Sequence, residues 1–361
     1  MRIGIIGAGQ LGRMLALAGY PLGLRFVFLD QSEDAPGGQV GSIIRGAFDD
    51  TRKLKELADA VDVVTFDVEN VPVAAVEEIA RAKPFRPPVL ALGASQDRLH
   101  EKRLFNSLKI PTAPFAPVDS FADLKSAAET IGIPGVLKTR RLGYDGRGQF
   151  YVRRAGDLEP AWQALGSAPL IYEGFVDFSR EVSIIGVRRP SGETRFYPLS
   201  WNVHEGGILR YSVAPYRNAS LQKQAQTYLN RILKHFDYAG VLTIEFFVRR
   251  GRLIANEMAP RVHNSGHWTI EGARTSQFEN HVRAILDLPL GGTEPIGHSA
   301  MMNFIGDIPT LGNILRVPGV HFHSYGKEPR PNRKLGHCTV NATSAVARDR
   351  ALRQLLRLRT G

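Results

Sequence analysis

Gly240-Val-Leu-Thr-Ile-Glu-Phe-Phe-Val248 and Leu253-Ile-Ala-Asn-Glu-Met258 are the two stretches that decide the fold. Both are short and apolar, and the first is also β-branched and aromatic, which is typical of buried strands. The segment Arg249 to Arg252 between them contains Gly251, which can adopt the positive φ that tight turns require. The sequence therefore predicts a β-hairpin in which residues 250–252 form a three-residue loop.

Each strand of this hairpin carries one glutamate. A three-residue loop pairs Arg249 with Leu253 and Glu245 with Glu257, so both carboxylates share one face with Cβ atoms roughly 5 Å apart. Two carboxylates at that separation repel by about 3 kcal/mol at an effective dielectric of about 20. A cation between them removes this cost, and hard oxygen ligands suit Mg²⁺. We therefore predict a metal site at Glu245 and Glu257, the alternative being two exposed glutamates on a solvated sheet face.

The segment that follows the hairpin, Pro260 to Trp268, gathers polar and charged side chains. They are Arg261, His263, Asn264, Ser265 and His267. The two histidines are four residues apart, a spacing that can hold a metal on a helix. Pro260 and Gly266 disfavour a helix here, so we predict instead that this segment donates hydrogen bonds to an oxyanion.

Composition places the chain among globular proteins. Its 361 residues predict two or three domains, and 43% of them are hydrophobic while 22% are charged. The net charge of +11 is compatible with nucleic acid, an anionic membrane or small anionic substrates. One concentrated basic cluster alternates with leucines and predicts an amphipathic C-terminal helix with a basic, solvated outer face. This cluster consists of Arg348, Arg350, Arg353, Arg357 and Arg359.

The single cysteine and the N-terminus bear on localisation. Cys338 excludes an intrachain disulfide and favours a reducing compartment, with the thiol in the core. Residues Met1–Ile6 begin a strand and lack the layout of a signal peptide. No apolar run approaches the roughly 20 residues of a membrane span. We predict a soluble, cytoplasmic protein without a membrane or nucleic-acid partner.

The pattern of elements changes along the chain. Residues 1–95 alternate strands and helices, which predicts an α/β region with a parallel sheet, and Pro84 to Pro88 predict a linker. From about 112 to 290, short strands with interspersed helices predict an α+β region with antiparallel sheets. Leu290 to Pro295 is a plausible boundary.

A glycine motif lies near the N-terminus. Gly7-Ala-Gly9-Gln-Leu-Gly12 follows a predicted strand and begins a helix, and Asp30 follows at the end of the second strand. This arrangement satisfies the dinucleotide-binding fingerprint, so an NAD(P)-dependent oxidoreductase is the main alternative function. The other interpretation is that the glycines serve only the tight turn and close helix packing. Further along, Asp67, Glu69 and Asn70 follow another strand and either line a site or cap the next helix.

A second glycine-rich segment runs from Lys138 to Gln149. Gly143, Gly146 and Gly148 allow a mobile hairpin whose N–H groups can fold over phosphate oxygens. Lys138 and several arginines add positive charge for a polyphosphate. Because the Gly-Lys-Ser/Thr helix start is absent, it is not a Walker loop.

Other candidate positions give weaker signals. Ile171 to Val176 ends a strand and can present backbone groups to an adenine edge. Glu181 and His204 are isolated polar residues in apolar surroundings. The basic loop Lys327 to Lys334 is either a solvated turn or a clamp for a phosphate ester.

Four stretches, in this order, resemble the 5-(carboxyamino)imidazole ribonucleotide synthase family of the ATP-grasp superfamily. They are Gly7–Met14, Gly143–Gln149, Asn256–Thr269 and Arg333–His337. The likeness covers almost the whole chain, and Asn256–Thr269 is its most specific part. Leu142 departs from the pattern, since the family usually has glycine there, and this affects the flexibility of the loop.

The resemblance implies an ATP-grasp fold with three domains. These are an N-terminal Rossmann-like pre-ATP-grasp domain (1–95), an ATP-grasp domain (96–292, lid lobe about 112–175) and a small C-terminal domain (293–361). It implies that ATP phosphorylates bicarbonate to carboxyphosphate, and that the amine of 5-aminoimidazole ribonucleotide then captures the carboxyl group. The resemblance further implies that ADP and phosphate are released, that Mg²⁺ is required and that the enzyme is a homodimer. On this account the N-terminal glycine motif does not bind NAD.

The resemblance also implies roles for single residues. Glu245 and Glu257 match metal positions, and Arg261 and His263 match the catalytic bicarbonate and carboxyphosphate pocket. The positions that match ATP contacts are Arg98, Lys138, Gly143, Tyr144, Asp145, Gly146, Arg147, Gly148, Gln149, Glu173, Gly174, Phe175, Val176, Glu181, His204, Asn256 and Glu257. The positions that match ribonucleotide contacts are Tyr144, Asp145, Arg261, His263, Lys327, Arg333 and Lys334. A non-catalytic nucleotide-binding protein is a further alternative, but it would not need both the glutamates and the Arg261–His263 pair.

Overall fold

The computed structural model describes residues 1–143 and 146–358. Within this part of the chain the strands form three sheets. Alternating strands and helices build the first, which is parallel throughout and has the order β3-β2-β1-β4. Its strands are β1 (Arg2–Ile6), β2 (Arg25–Asp30), β3 (Ser42–Arg45) and β4 (Val63–Phe66).

Helices follow these strands as the alternation predicts. They are α1 (Gln10–Gly19), α2 (Thr51–Ala60) and α3 (Val73–Ala82), followed by α4 (Val89–Ser95) and α5 (Arg98–Ser107). Pro84 to Pro88, predicted as a linker, lie between α3 and α4 and outside both helices, and Pro88 is the N-cap of α4. A proline at the start of a helix removes no intrahelical hydrogen bond, so Pro88 is compatible with the beginning of α4.

The second sheet is antiparallel and has the order β5-β8-β6-β7. Its strands are β5 (Phe115–Val118), β6 (Gly135–Thr139), β7 (Gln149–Val152) and β8 (Leu170–Gly174). Two helices, α6 (Phe121–Ile131) and α7 (Leu158–Leu165), pack on one face and enclose a small separate core. The glycine-rich segment connects β6 to β7, as predicted.

The third sheet is the centre of the molecule and has the order β14-β13-β9-β11-β12-β15-β17-β16, with β10 paired to β9. Its strands are β9 (Arg180–Arg188), β10 (Thr194–Phe196), β11 (Ser200–Glu205), β12 (Ile208–Ala214), β13 (Gly240–Arg249), β14 (Arg252–Ala259), β15 (His298–Ile305), β16 (Val320–Ser324) and β17 (Lys334–Ala342). The helices of this region are α8 (Ala219–His235), α9 (Thr269–Gly272), α10 (Gln277–Ile285), α11 (Leu311–Leu315) and α12 (Ala345–Arg357). Strands on both sides of the predicted boundary near residue 292 share this sheet, and the domain limits stay a prediction.

The hairpin β13–β14 is present, but its predicted loop is wrong. Arg249 pairs with Arg252 rather than Leu253, so the turn has two residues, Arg250 and Gly251, both with positive φ. Continued without interruption, this register would place residue 256 opposite Glu245. A β-bulge between Glu245 and Phe246 adds one residue on the facing strand and restores the pairing of Glu245 with Glu257.

The prediction for the basic C-terminal helix also needs a correction. Arg350, Arg353 and Arg357 are exposed, but Arg348 is only 8% exposed and lies 2.8 Å from Asp349. Arg348 therefore does not belong to the outer face, because the neighbouring carboxylate balances its charge under the sheet. Arg359 lies outside the described residues. Cys338 is buried in the core, as predicted, and no helix described here is long and apolar enough to cross a membrane.

Candidate functional site

Two acidic side chains meet where β13 pairs with β14. Glu245 and Glu257 are direct cross-strand partners. Arg98, the first residue of α5, donates from Nη1 to Oε2 of Glu257 over 3.0 Å. On the other side, Nε2 of His263 lies 3.6 Å from Oε1 of Glu245. The predicted carboxylate pair is therefore present, and an arginine already balances one member.

The two carboxyl groups differ in their ionisation. Burial raises the pKa of Glu245 above its ordinary value, and the nearby charge of Glu257 adds to this effect. Burial also opposes ionisation of Glu257, but Arg98 outweighs it and the pKa is lowered. A further cation beside Glu245 would favour its charged form as well.

Asn256, next to Glu257 in the chain, is the extra residue of the bulge. Its Oδ1 is buried and, among the described residues, has no hydrogen-bond partner. No cluster of three or more His, Cys, Asp or Glu side chains in the described ranges has the geometry of a metal site. Mg²⁺ is often held by one or two carboxylates together with substrate phosphates, so the residues present fit that ion.

Helix α5 brings further charges beneath this pair. Nζ of Lys102 and Nζ of Lys138 each lie 3.1 Å from Oε2 of Glu173. Burial opposes ionisation of Glu173, but the two lysines outweigh it and lower the pKa of Glu173 to about 2. The buried Glu173 side chain therefore holds Lys138 in place.

The glycine-rich loop is tied to the same helix. Nη2 of Arg98 donates to the carbonyl of Gly143 over 3.1 Å. Arg140 makes two hydrogen bonds to Asp97, the N-cap of α5, so the side chain of this arginine is held at the start of that helix. Leu142 has φ +62°, in the left-handed region where glycine avoids steric strain.

The segment predicted for an adenine edge is partly engaged within the protein. The N–H of Gly174 donates to Pro114, and the N–H of Phe175 donates to Pro134, over 2.9 and 3.1 Å. These two donors are not available to a nucleotide. Val176, the next residue, is buried at this end of β8.

Glu181 and His204, isolated in the sequence, form one ion pair. Oε2 of Glu181 lies 2.7 Å from Nδ1 of His204. Burial lowers the pKa of His204, but this hydrogen bond and the charge of Glu245 raise it more, to about 9. The imidazolium thus places positive charge near the carboxylate pair.

The segment after the hairpin divides into two functional halves. Nε of Arg261 lies 3.2 Å from Oε1 of Glu69, and the ring of His263 faces Glu245. Burial, reinforced by the charge of Arg261, lowers the pKa of His263 well below its ordinary value, so its imidazole is neutral. His263 therefore lies beside the acidic pair, and Arg261 is close enough to His263 to affect its pKa.

The other predicted donors of this segment are structural. Asn264 exchanges two amide hydrogen bonds with Asn303 of β15, over 3.0 and 2.7 Å. Ser265 and His267 are completely buried. The prediction that the whole segment faces an oxyanion is wrong for these three residues, because their side chains anchor the segment to the sheet.

A basic group lines the side of the site between the first sheet and the C-terminal region. Lys327 donates to the Gln10 side chain at the start of α1. Burial, reinforced by the charge of Arg333, lowers the pKa of Lys327 to about 8. Lys334, at the start of β17, is close enough to Glu245 and His263 to affect both pKa values. Tyr144 and Asp145, predicted for both ATP and the ribonucleotide, lie outside the described residues.

Comparisons with known proteins match this arrangement. Three family models align in order: the ribonucleotide synthetase preATP-grasp domain (residues 1–96), the ATP-grasp domain (103–278) and the phosphoribosylaminoimidazole carboxylase C-terminal domain (299–351). The N5-carboxyaminoimidazole ribonucleotide synthase of Pseudomonas aeruginosa is 53% identical over 340 residues, covering 94% of each chain. The chain belongs to the N5-carboxyaminoimidazole ribonucleotide synthase family.

Solved structures of this family agree in fold. The synthetase from Thermus thermophilus is 52% identical and superposes with a TM-score of 0.95 over 99% of both chains. The synthase from Aspergillus clavatus, solved in complex with ADP and 5-aminoimidazole ribonucleotide, is 32% identical. It superposes with a TM-score of 0.92 over 99% of this chain and 98% of that one. The predicted ATP-grasp fold, with its N-terminal pre-ATP-grasp and C-terminal domains, is confirmed.

The alternative oxidoreductase is not supported, and the first sheet provides a physical reason. Oδ2 of Asp67 accepts the N–H of Gly12 over 2.9 Å, at the start of the helix where a dinucleotide phosphate would bind. A Cβ on Gly7 would lie 1.9 Å from Asp67 Oδ1, so the glycines make room for this carboxylate. Asp67 and Glu69 do not cap α3, whose N-cap is Pro72 without a side-chain hydrogen bond.

The sequence did not indicate that Glu101 and Lys102 belong to the candidate site. Both are buried, and Glu101 accepts the N–H of Met258 over 2.6 Å. The signal was available, because charged residues three and four positions after Arg98 lie on the same face of a helix. Nothing in the sequence, however, indicates that this face is covered by β8 and β14.

Proposed function

We propose that this protein is an ATP-grasp ligase that carboxylates 5-aminoimidazole ribonucleotide. Bicarbonate and ATP would form carboxyphosphate, the substrate amine would capture its carboxyl group, and ADP and phosphate would leave. One observation carries this proposal: Nε2 of His263 lies 3.6 Å from Oε1 of Glu245, the cross-strand partner of Glu257, and Arg261 precedes His263 by two residues. A site for a metal–triphosphate thus adjoins a site for a small anion.

ATP is assigned to the cleft between the second sheet and the central sheet. Arg98 and Lys138 would meet its phosphates, since each is held in place by a carboxylate, Glu257 and Glu173 respectively. The loop from Gly146 to Gln149 would cover the phosphates, and Val176 would take the adenine edge. Glu181 with His204 would close the other side. Glu173 acts through Lys138.

Mg²⁺ is assigned to Glu245 and Glu257, with Asn256 beside them. When bound, it would supply charge neutralisation for the phosphate oxygens. The protein's own contribution is to hold two carboxylates opposite each other on a rigid hairpin. Catalysis of this kind rests on placement and electrostatics and needs no covalent nucleophile.

The small anion is assigned to Arg261 and His263. Glu69 orients the guanidinium of Arg261, and the neutral ring of His263 can donate a hydrogen bond. An anion held by both would lie next to the end of β14, the strand that carries Glu257. This geometry favours attack of a bicarbonate oxygen on the terminal phosphate of ATP.

The ribonucleotide is assigned to the basic side of the pocket. Lys327, Arg333 and Lys334 would hold its phosphate, and Tyr144 with Asp145 would contact the rest of the molecule. We further propose a homodimer in the cytoplasm, with no nucleic-acid partner. Light scattering of the purified protein at micromolar concentration tests the dimer, and a monomer would exclude it.

The experiment that tests the activity is ADP release with each substrate omitted in turn. We expect turnover that needs Mg²⁺ and bicarbonate and that 5-aminoimidazole ribonucleotide strongly stimulates. Omission of any one component should return the rate to background. Reduction of NAD(P) without ADP formation would instead favour the oxidoreductase.

A further inference from the structure

A chain of buried hydrogen bonds leads across the central sheet to His263. Oγ of Ser212 in β12 donates to Oδ1 of Asn202 in β11 over 2.8 Å, and Nδ2 of Asn202 donates to Oγ of Ser183 in β9 over 3.0 Å. Oγ of Ser183 then donates to Oγ of Ser265 over 2.7 Å. All four residues are at most 2% exposed. The chain ends where Oγ of Ser265 lies 2.8 Å from Nδ1 of His263.

The direction of the last hydrogen bond is fixed by the backbone. The N–H of Ser265 lies 3.3 Å from Nδ1 of His263, and a backbone N–H can only donate. Nδ1 is therefore an acceptor. Because Ser265 Oγ already receives the proton of Ser183, its own proton is free to point to the same nitrogen. A neutral imidazole that accepts at Nδ1 carries its proton at Nε2.

The backbone of His263 is clamped as well. Oε1 of Gln277 accepts the N–H of His263 over 3.0 Å, and Nε2 of Gln277 donates to its carbonyl over 2.7 Å. A Cβ on Gly266 would lie 2.2 Å from Ile185 and 2.7 Å from Gln277, so only glycine permits this close approach. The ring is thus fixed in position as well as in tautomer.

We propose that Ser265 and Ser183 are positioning residues that hold His263 as the Nε2–H tautomer, a hydrogen-bond donor to the anion beside Glu245. This inference rests on the proposed function, which places bicarbonate and carboxyphosphate there. It has a chemical consequence: with Nε2 protonated, no imidazole lone pair faces the pocket. His263 therefore stabilises negative charge and does not take the proton of the substrate amine.

The test is a two-bond ¹H–¹⁵N correlation spectrum of protein labelled with ¹⁵N-histidine, with His263 assigned by its loss in His263→Gln. The resting wild-type protein should show the Nε2–H pattern at neutral pH. Ser265→Ala removes the shorter of the two donors to Nδ1 and leaves only the backbone N–H at 3.3 Å, so it should move part of the signal toward the other tautomer and lower kcat about tenfold, the effect of one lost hydrogen bond. The KM for ATP should stay within about twofold, and Ser265→Cys should recover part of kcat.

Ser200→Ala is the matched control. Ser200 is a buried serine that accepts from Nε1 of Trp268 over 2.8 Å, with no bond to His263. Its loss should lower stability while leaving the tautomer and kcat unchanged. An Nδ1–H pattern in the wild type would overturn the proposal, even if Ser265→Ala did not fold. Equal losses of kcat in Ser200→Ala and Ser265→Ala, with an unchanged tautomer, would also overturn it. The spectrum requires no turnover, so it can fail or succeed independently of the proposed activity.

Discussion

The environment of a single carboxylate decides what it can do in this site. Glu245 and Glu257 face each other, yet burial raises the pKa of one while Arg98 lowers that of the other. The arginine thereby favours the charged form of Glu257, one of the two proposed metal ligands, before any cation binds. This asymmetry comes from one residue of α5, outside the hairpin itself.

Replacing Glu257 by glutamine tests its proposed role as a metal ligand. Glu257→Gln keeps the shape but removes the charge, so ATP turnover should fall to background while circular dichroism shows a folded protein. Glu56→Gln, on the exposed pair of α2 with Lys53, is the control and should retain full activity. Wild-type turnover in Glu257→Gln would mean that this side chain is not a required metal ligand.

Lys327 offers a test by pH. Its pKa is lowered to about 8 by burial and by Arg333, so the lysine loses its charge as the pH rises through that value. If it binds the substrate phosphate, kcat/KM for the ribonucleotide should decline above about pH 8, since this ratio reports the free enzyme. Lys327→Arg should retain charge and remove the decline. Identical profiles for both proteins would exclude the role.

At the scale of elements, helix α5 connects the second sheet to the hairpin β13–β14. Asp97 caps it and binds Arg140, Arg98 reaches Glu257, and Lys102 reaches Glu173 in β8. One helix therefore contacts both the second sheet and the hairpin. Its buried charges are balanced only when all three elements are in place.

The ion pairs of Glu173 with Lys102 and Lys138 predict how the stability of the protein depends on acidic pH. A carboxyl group with a lowered pKa contributes stability that is complete above its ordinary value of 4.5 and is lost as the pH falls toward about 2. The melting temperature of the wild type should therefore fall in this window. Glu173→Gln leaves two buried lysines unbalanced, so it should cost about 3–5 kcal/mol at pH 7 and flatten the dependence. Equal acid profiles for the two proteins would contradict this account.

Elements with a regular pattern could be predicted from the sequence, and irregular ones could not. The alternation of strands and helices over residues 1–95 and the hairpin β13–β14 could be predicted, because hydrophobic spacing determines such elements locally. The pairing of Glu245 with Glu257 was predicted correctly for the wrong reason, since a shorter turn and a bulge cancel each other. Bulges depend on contacts with neighbouring strands, which a local pattern does not contain.

In the candidate site, too, residues that stand out locally could be predicted, whereas those that depend on distant contacts could not. Residues with unusual local combinations, such as Arg261 with His263, were identified because they stand out along the chain. Lys102 was missed because its partner Glu173 is distant in the sequence, and only the fold brings them together. Asn264 was assigned to a ligand because its partner Asn303 could not be known.

At the scale of the whole molecule, the pocket proposed for the ribonucleotide is built from distant ends of the chain. Lys327 binds Gln10, and Arg13 of α1 donates to the carbonyl of Ser324 over 3.4 Å. Helix α1 and the C-terminal region are therefore in direct contact. ATP is assigned to a different cleft, so the two substrates should be separable by mutation.

Arg333 tests this separation. Arg333→Ala should raise the KM for the ribonucleotide about ten- to 150-fold, the effect of losing a charge-assisted contact of roughly 1.5–3 kcal/mol. The KM for ATP should change little. Arg316→Ala, an exposed arginine in the same region that bonds only to Asn313 among the described residues, is the control. A selective rise in the KM for ATP would assign the loop to the nucleotide instead.

The last prediction concerns how the whole site activates bicarbonate, which is a poor electrophile. Arg261 and His263 closely follow β14, which carries the proposed metal ligand Glu257, so an anion bound by them would lie beside the terminal phosphate of ATP. If phosphorylation converts one of its oxygens into a leaving group, ¹⁸O from labelled bicarbonate should appear in the released phosphate. Arg261→Ala should lower the rate about 10²–10³-fold, the scale of one oxyanion donor, with ATP binding nearly intact. Arg283→Ala, whose partner Glu279 lies on the same helix face, should have no such effect. Unlabelled phosphate from an active enzyme would exclude carboxyphosphate and leave direct carboxylation by dissolved CO₂.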